Sequence, residues 1–538
     1  MPEINDYGVT TPVHVPRLLE LIDGYNDYTY ISQGFKHGFK LGLKPNPHLR
    51  ASNKASGRQH QSVLLEKLQA ELDLGRIIGP FNKPPIPEMM ISPMYCIPKP
   101  NSSKWRMIFN LSAPNGTSVN DNIPDFNRVV TYCDIKSVVT HILSLSSTDD
   151  IFFAKLDLSD AYRMVPMAKS EWKYLGMKVG KHFFVDCRLP MGAGSSCQVF
   201  QRISDMLKWL FASIQHDPCR IFNYLDDFLI VSHGEAQCNR ILDRILDISH
   251  EVNVPIASHK TERATEAIVF LGIGICAKTS SLFIPPQKSR EMLDHISEFL
   301  RKSAPSVKQW QVLLGKLCHL SQVVVAGRAY LSSVYGSLKG VLSSSHYVRR
   351  RITSEIREDL VVWKDFLSHA SQGKKFKYLV GGTPQHVIVS DASGSIGYGV
   401  YMGSHWIDGL WPDAFWKSMN IAVLELFPIF LALNVWSNTI ENSVVQISTD
   451  NKALVPVLNR LYCKDSALRK LVRPIALLCM NKNILLVASH IRGSDNVGAD
   501  LLSRGQREKF LQQFPDMSRV PTQVPELLSP DSVRTAYW

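Results

Sequence analysis

Several kinds of segment are missing from this sequence. It has no apolar run near eighteen residues and no signal-peptide pattern at Met1, which argues against a membrane-spanning or secreted protein. Its cysteines are scattered singly and none forms a Cys-x-x-Cys pair, which argues against zinc knuckles and a disulfide framework. We therefore expect an intracellular protein of the cytoplasm or the nucleus, in a reducing compartment and without a membrane partner.

The charge balance of the chain points to a polyanionic partner. Its 538 residues are 45% hydrophobic and 20% charged, a composition that suits several packed domains. Lys and Arg outnumber Asp and Glu by 60 to 48, giving a net charge of +12. Nucleic acid is the common partner of such a protein, although the same balance also fits a basic protein that binds no polyanion.

Two adjacent acids, Asp226 and Asp227, lie between two apolar runs in residues 221–231. This pattern predicts a tight β-hairpin with both carboxylates at its turn, although Asp is also an ordinary turn residue. A third acid, Asp157, ends the apolar strand predicted over residues 151–157. Three such carboxylates would suit two Mg²⁺ ions that hold the attacking and leaving oxygens of a phosphoryl transfer.

The order of these motifs resembles that of retroelement reverse transcriptases. The matching segments are Asp-x-x-Asp-Ala-Tyr from Asp157, Leu-Pro-Met-Gly ending at Gly192 with Ser196, Phe200 and Gln201 after it, and Tyr-Leu-Asp-Asp ending at Asp227. The resemblance implies an α/β multidomain (α+β) fold: a right-hand polymerase with fingers, palm and helical thumb, followed by a ribonuclease H-like α/β domain. The implied bounds are 1–60 for an N-terminal extension, 61–283 for fingers and palm, 284–345 for the thumb, 346–384 for a connection, 385–505 for the ribonuclease H domain and 506–538 for a C-terminal tail.

The resemblance also implies a nucleotide site. Lys99 and Arg106, on a hairpin predicted over residues 94–111, resemble the basic fingers residues that bind the triphosphate. The backbone N–H groups of Asp160 and Ala161, at a predicted helix opening, would also face it. Tyr162 stands where the family has a ring that collides with a 2′-hydroxyl, although ordinary helix packing would explain a tyrosine there too.

One position departs from the retroviral pattern. Retroviral enzymes carry Gln after Leu-Pro, whereas this chain has Met191, so polar contacts to the nucleotide are in doubt there. An apolar residue at this position resembles the tyrosine-recombinase retrotransposons of the DIRS type. The blocks at 288–302, 307–320 and 323–338 have helical periodicity, and their Gly-Lys-Leu and Gly-Arg-x-Tyr-Leu wording resembles the same elements.

A second set of acids follows in the last third of the chain. It comprises Asp391, Glu425, Asp450 and Asp500, with His490 ten residues before the last. The set resembles ribonuclease H, whose four acids bind two Mg²⁺ and whose mobile histidine assists proton transfer. Pro428 follows Glu425 by three residues, so we expect the helix that carries the acid to begin near Leu424, with the proline in its first turn.

The sequence therefore predicts an RNA-directed DNA polymerase of a retrotransposon with ribonuclease H activity. The implied cofactor is Mg²⁺, two ions in each site, with Mn²⁺ possible. The implied partners are an RNA template, a DNA primer, an RNA–DNA hybrid and deoxynucleoside triphosphates, and the oligomeric state is not predicted. The alternatives are a polymerase of another retroelement class, and a domesticated or decayed element that only binds nucleic acid.

Overall fold

The computed structural model describes residues 9–45, 60–98, 105–145, 150–340, 347–369, 373–376 and 382–538. The chain divides into two compact units, one of residues 1–138 and 147–271 and the other of residues 139–146 and 272–538. None of the helices in these described ranges is long and apolar enough to cross a bilayer.

The first unit contains antiparallel sheets and the helices that cover them. Its helices are α1 (Val15–Leu21), α2 (Tyr28–His37), α3 (Gln61–Asp73), α4 (Ile135–Ser144, which continues into the next unit), α5 (Ser196–Ser213) and α6 (Glu235–Glu251). Its strands are β1 (Ile77–Phe81), β2 (Met94–Pro98), β3 (Trp105–Phe109), β4 (Ile151–Asp157), β5 (Gly176–Val179), β6 (His182–Asp186), β7 (Cys219–Tyr224), β8 (Asp227–His233), β9 (Glu262–Thr265) and β10 (Ala267–Phe270).

The sheet β7-β8-β4-β9 is the centre of this unit. The run Phe228 to Val231 on β8 is at most 1% exposed, as expected of a strand with both faces covered. Helices α5 and α6 pack on the sheet, and α1 and α2 contribute Leu18 and Phe35 to the same core. The described part of the N-terminal segment is therefore built into the unit that it precedes.

The second unit combines helices with a mixed sheet. Its helices are α7 (Pro286–Leu300), α8 (Val307–Leu320), α9 (Ser332–Ser337), α10 (Ser354–His369), α11 (Ala414–Lys417), α12 (Ile421–Val435), α13 (Leu454–Arg460), α14 (Ser466–Asn481), α15 (Val497–Ser503), α16 (Arg507–Gln513) and α17 (Pro530–Tyr537). Its strands are β11 (Ile273–Cys276), β12 (Ser281–Phe283), β13 (Lys374–Lys375), β14 (His386–Ala392), β15 (Gly397–Met402), β16 (His405–Leu410), β17 (Val444–Thr449) and β18 (Leu485–His490).

The five-stranded sheet of this unit has the order β16-β15-β14-β17-β18. Strands β14, β17 and β18 run parallel, and β15 and β16 are added by antiparallel pairing. Helix α12 is buried on all sides from Val423 to Leu433, which explains why its sequence is apolar all round.

The predicted start of the helix carrying Glu425 is wrong. Helix α12 begins at Ile421, where the side chain of Asn420 accepts the Ala422 N–H at 2.9 Å, and Pro428 lies inside the helix rather than in its first turn. Because Asn420 caps the helix, the helix begins nearly one turn earlier than predicted. The burial of the residues on both sides of Pro428 maintains the helix there, although proline lacks the N–H that would donate a helical hydrogen bond.

Two regular elements are interrupted. Strands β10 and β11 are separated at Leu271 and Gly272, which both have positive φ, 49° and 72°. The third predicted thumb helix is a 3-10 helix, Val325–Tyr330, followed by α9. A Cβ on Gly327 would lie 2.3 Å from the ring of Trp363, so this close approach, which no local pattern signals, sets the local path.

The last segment of the chain packs on the second unit. Phe510 of α16 is fully buried against Trp406, with ring centroids 5.6 Å apart, and Trp538 meets Trp416 at 5.6 Å. The proline-punctuated tail of the sequence therefore completes the hydrophobic core beside the five-stranded sheet.

We predict that Phe510→Ala lowers the free energy of unfolding by about 3–5 kcal/mol, because it leaves a cavity in an aromatic cluster. The matched control Leu527→Ala changes a residue of the same segment that is 84% exposed, and should stay within about 0.5 kcal/mol of wild type. Urea unfolding of the full chain measures both. Equal effects of the two substitutions would show that the segment does not belong to the folded core.

Candidate active sites

The first site is built on the hairpin of β7 and β8. Tyr224 and Asp227 pair across it, and the two-residue turn between them is Leu225 and Asp226, with Leu225 at φ 53°. The predicted hairpin with both acids at its turn is confirmed. The turn is braced by α5, because Oε1 of Gln201 accepts the Leu225 N–H at 3.1 Å.

Strand β4 brings the third acid to this turn. Asp157 lies directly opposite Asp227 in the antiparallel register, and the Leu158 N–H donates to the carbonyl of Asp226 at 2.9 Å. Residues paired in this way have Cβ atoms about 4.5–5.5 Å apart. The structure thus places the three predicted acids around one end of one sheet.

The acids of the cluster are partly buried close to one another. Burial raises the pKa of Asp227 to about 6, and the neighbouring Asp157 and Asp226 add to the shift. Burial also raises the pKa of Asp226. Oδ1 of Asp227 is buried and has no hydrogen-bond partner among the described residues. A cation at this position would favour the ionised carboxylates and oppose both shifts.

Sequence reasoning missed one cation that is present. Nζ of Lys260 donates to Oδ1 of Asp157 at 2.8 Å, and its pKa is raised by this bond. Lys260 lies in a short 3-10 helix, Ser258–Lys260, far along the chain from Asp157. No local pattern marks it, because the contact exists only once the sheet has formed.

The predicted nucleotide residues lie on a turn after β4. Asp160 is left-handed at φ 48°, and a 3-10 helix, Ala161–Met164, begins directly after it, at the predicted helix opening. The N–H groups at this N-terminal end have no carbonyl partner within their own helix. The ring of Tyr162 stacks on Phe200 at 4.8 Å, and its hydroxyl contacts Sγ of Cys197 at 3.4 Å.

The other predicted nucleotide residues are distributed as follows. Arg106 is exposed on β3, opposite Ile97 of β2. Lys99 falls outside the described residues. Met191 is 69% exposed and precedes Gly192, where a Cβ would lie 2.7 Å from the carbonyl oxygen of Phe109. Gly192 is therefore required by this close approach of two backbones.

Asn120 holds the loop around Gly192 and was also missed from the sequence. Its Nδ2 donates to the carbonyl of Gly192 at 2.9 Å, and its Oδ1 accepts the Gly194 N–H at 2.8 Å. Its side chain therefore fixes the loop that carries Met191.

The second site gathers acids from a strand and two helices of the second unit. Asp391 on β14 is 9% exposed and pairs with Gly399 of β15. A Cβ on Gly399 would lie 2.3 Å from Cβ of Leu502, so α15 packs directly on this strand. The close packing lets Oγ of Ser503 donate to Oδ2 of Asp391 at 2.5 Å. Ser503 is a second partner that the sequence did not reveal.

Glu425 completes the buried part of this site, and Asp450 lies next to it only partly buried. Glu425 is 8% exposed on α12, and its Oε2 has no hydrogen-bond partner within the described ranges. Burial raises its pKa to about 7, with further contributions from Asp450 and Asp391. The pKa of Asp391 is raised by burial and then by Asp450 and Asp500. These mutual effects indicate that the four predicted acids act electrostatically on one another.

Asp500 and His490 lie at the solvent-facing side of this cluster. Asp500, on α15, binds Nε of Arg504 through its Oδ1 at 2.8 Å. His490 is the exposed last residue of β18, and its parallel partner on β17 is Thr449, which precedes Asp450. The structure therefore sets His490 beside the strand end that carries an acid.

The donor chemistry of both sites suits a hard divalent cation. Within the described ranges, no group of three or more His, Cys, Asp or Glu side chains stands ready to hold a metal ion. Repulsion between carboxylates favours side chains that point away from one another. The raised pKa values of Asp227 and Glu425, and the unpartnered oxygen of each, indicate where a positive charge would be favourable. Carboxylate oxygens are the ligands that Mg²⁺ and Mn²⁺ prefer. The residues fit these ions by chemistry, and the side chains would draw together around them.

We predict that Glu425→Gln stabilises the protein in EDTA at pH 8. Because the pKa of Glu425 is about 7 in the folded protein against an ordinary 4.5, the folded state holds this proton more tightly between those values. The free energy of unfolding should therefore fall as the pH rises from 4.5 to 7, by up to about 3 kcal/mol from this group. The variant should lack that component.

Unfolding in urea at pH 5 and pH 8 measures the effect, with Glu526→Gln as a control on an exposed acid of the same unit. Adding Mg²⁺ should stabilise wild type more than Glu425→Gln. The same pH dependence in wild type and Glu425→Gln would contradict this account of the buried carboxylate.

Comparison with known proteins assigns part of the chain to a family. Residues 97–275 match the family described as reverse transcriptase (RNA-dependent DNA polymerase). The Pol polyprotein of transposon gypsy from Drosophila melanogaster is 29% identical over 122 residues, 22% of this chain and 11% of that protein. The Gag-Pro-Pol polyprotein of Human T-cell leukemia virus 2 is 24% identical over 376 residues, 61% of this chain and 23% of that protein. The chain thus spans less than a quarter of the length of either relative.

A solved structure supports the fold. The foamy viral protease-reverse transcriptase in complex with double-stranded DNA matches with a TM-score of 0.51 and 15% identity, covering 89% of this chain and 81% of that one. The predicted fold class, a multidomain α+β polymerase, is confirmed by this likeness. The chain is therefore similar, over residues 97–275, to the reverse transcriptase family, and parts of it are similar to transposon and retroviral Pol polyproteins.

Proposed function

We propose that this chain is an RNA-directed DNA polymerase of a retrotransposon that also degrades the RNA strand of RNA–DNA hybrids. The observation that carries the polymerase half is the pairing of Asp157 with Asp227 beside the turn residue Asp226, within the segment that matches the reverse transcriptase family. Its reaction is attack of a primer 3′-hydroxyl on the α-phosphate of a deoxynucleoside triphosphate opposite an RNA or DNA template, which breaks the α–β phosphoanhydride bond and releases pyrophosphate.

The three acids would hold two Mg²⁺ ions, or Mn²⁺, whose charge favours in-line phosphoryl transfer. Around them, the N–H groups of Asp160 and Ala161 orient the triphosphate. Arg106, on β3, neutralises its charge, and Lys99 does the same by its place in the resembling motif. The ring of Tyr162, fixed by its stacking on Phe200, forms the floor of the sugar site and excludes a 2′-hydroxyl.

The nuclease half rests on the second acid cluster. This cluster has two acids at strand ends, Asp391 and Asp450, and two on helices, Glu425 and Asp500. Neighbouring acids add to the raised pKa values of Asp391 and Glu425. The four acids would hold a second pair of divalent ions. His490, exposed beside Asp450, is placed to accept and release protons as the cleaved strand leaves. The same proposal includes a ribonuclease H domain at 385–505. Residues 506–538, which pack on the same unit, would extend that domain.

The partners of the proposed enzyme are an RNA template, a DNA primer, their hybrid and deoxynucleoside triphosphates. The net charge of +12 supports a polyanionic partner. The relative of known structure was solved with double-stranded DNA. Met191, exposed where retroviral enzymes have Gln, supports a DIRS-type element. We also propose that the protein acts inside the cell, in the cytoplasm or the nucleus.

We predict that the two activities separate by mutation. Primer extension on a labelled RNA template with Mg²⁺ follows DNA synthesis and RNA cleavage in one reaction. Asp226→Asn should lose extension by at least about 10³-fold and keep cleavage, and Asp450→Asn should do the reverse, because each acid serves a different cluster.

The matched controls are Asp243→Asn, a half-exposed acid on α6, and Asp531→Asn, an exposed acid on α17, and both should leave both activities unchanged. A folded wild type that binds hybrid but neither extends nor cleaves would replace this proposal with the alternative of a non-catalytic nucleic-acid-binding protein. Loss of both activities in either single variant would contradict the assignment of two separate sites.

We predict that Tyr162→Val relaxes the choice of sugar. Removing the ring opens the floor of the site, so the ratio of kcat/KM for a deoxynucleotide to that for the matching ribonucleotide should fall about 10-fold or more. Tyr162→Phe is the matched control, because it loses only the contact of the hydroxyl with Cys197 and keeps the ring on Phe200. A ratio unchanged in Tyr162→Val would assign the tyrosine to packing alone.

A further inference from the structure

A chain of ion pairs leads from the turn after β4 into the body of the first unit. Asp160 binds Nη2 of Arg76 through Oδ2 at 2.8 Å, and Nη1 of Arg76 binds Oε1 of Glu71 at 3.2 Å. Oε2 of Glu71 accepts Nε and Nη2 of Arg163 at 3.0 and 2.8 Å, and Nη1 of Arg163 binds Oδ2 of Asp186 at 2.9 Å. Glu71 is the link that joins the two arginines.

Both arginines act on the same turn. Arg76 holds the side chain of Asp160 at the start of the turn, and Arg163 belongs to the 3-10 helix at its other end. The Arg163 N–H also donates to the carbonyl of Asp160 at 2.6 Å. The turn between these two points carries Ala161 and Tyr162, so its conformation is fixed from both ends through one carboxylate on α3.

The turn needs such support. Asp160 has φ 48°, a left-handed conformation that is unfavourable for a residue with a side chain. Its carboxylate is 55% exposed and would repel a polyphosphate if Arg76 did not neutralise it. Arg76 can do so only while Glu71 orients its guanidinium.

The burial of these ion pairs indicates a geometric role rather than a stabilising one. The side chains of Glu71, Arg76 and Arg163 are each less than one fifth exposed, and Asp186 is still less accessible. Buried ion pairs of this kind gain little net free energy, because desolvation offsets their attraction. They instead fix the orientation of the paired side chains, because each guanidinium binds its carboxylate with a defined geometry.

We propose that Glu71 is a positioning residue for the incoming nucleotide, holding Arg76 and Arg163 so that the turn Asp160 to Tyr162 keeps its shape and its low charge. The inference rests on the proposed polymerase function. Glu71 contacts neither nucleotide nor primer, and it acts only through the turn. It therefore affects nucleotide binding and sugar choice, and leaves primer–template binding unchanged.

The test is single-nucleotide extension by the full chain carrying Glu71→Gln. We expect KM for the deoxynucleotide to rise about 10-fold or more, kcat to change less than about 3-fold, and the selectivity against ribonucleotides to fall as the ring of Tyr162 loses its position. The matched control Glu66→Gln changes an exposed acid of the same helix and should resemble wild type. Glu71→Asp, which keeps the charge, should recover part of the loss.

Different outcomes separate the two proposals. A wild type without extension overturns the polymerase function and this role with it. An active wild type with unchanged KM and sugar selectivity in Glu71→Gln overturns the positioning role alone. A fall in kcat and in primer–template binding without a change in KM would show a general structural role. If Glu71→Gln does not fold, Arg76→Met, which cuts only the link to Asp160 and Glu71, must show the same rise in KM.

Discussion

Repulsion between carboxylates in one buried place is the constraint on which both candidate sites depend. Asp157 and Asp227 lie opposite each other on paired strands, an arrangement that destabilises a sheet when both residues carry the same charge. In the second unit, burial raises the pKa of Glu425 to about 7 and Asp450 adds to the shift. A fold keeps such charges together only where its backbone holds them and where a cation can relieve them. The residues that lower local stability are therefore those suited to bind metal.

The two units support their acids by different means. In the first, the hairpin turn is braced from α5 by Gln201, and Lys260 supplies a positive charge to Asp157. In the second, α15 approaches the sheet at Gly399, and Ser503 donates a hydrogen bond to Asp391. Both units thus place a side-chain cation on one acid, Lys260 on Asp157 and Arg504 on Asp500, and the second unit adds a neutral donor at Asp391.

Local patterns were sufficient to predict the elements that carry the acids. The strand ending at Asp157 and the hairpin around Asp226 follow from apolar runs and turn residues, and both lie where expected. The errors fall where tertiary packing overrides the local signal. Pro428 is carried inside a helix that is buried on all sides, and Gly327 bends the chain to admit Trp363. The family match over 97–275 supports the predicted reverse transcriptase domain, whereas the ribonuclease H and DIRS assignments remain predictions.

Partners that are distant along the chain are what no sequence pattern could supply. Lys260, Ser503 and Glu71 each act on an acid or a turn that lies on another element. Their residue types are common on surface helices and loops. Their roles become visible only from the contacts that they make in the folded protein. The ion-pair chain through Glu71 is the strongest case, because it converts a position on α3 into control over the left-handed turn at Asp160. A site of this kind is thus specified in two layers: motif residues, which a sequence displays, and charged side chains that hold them, which only the fold brings into contact.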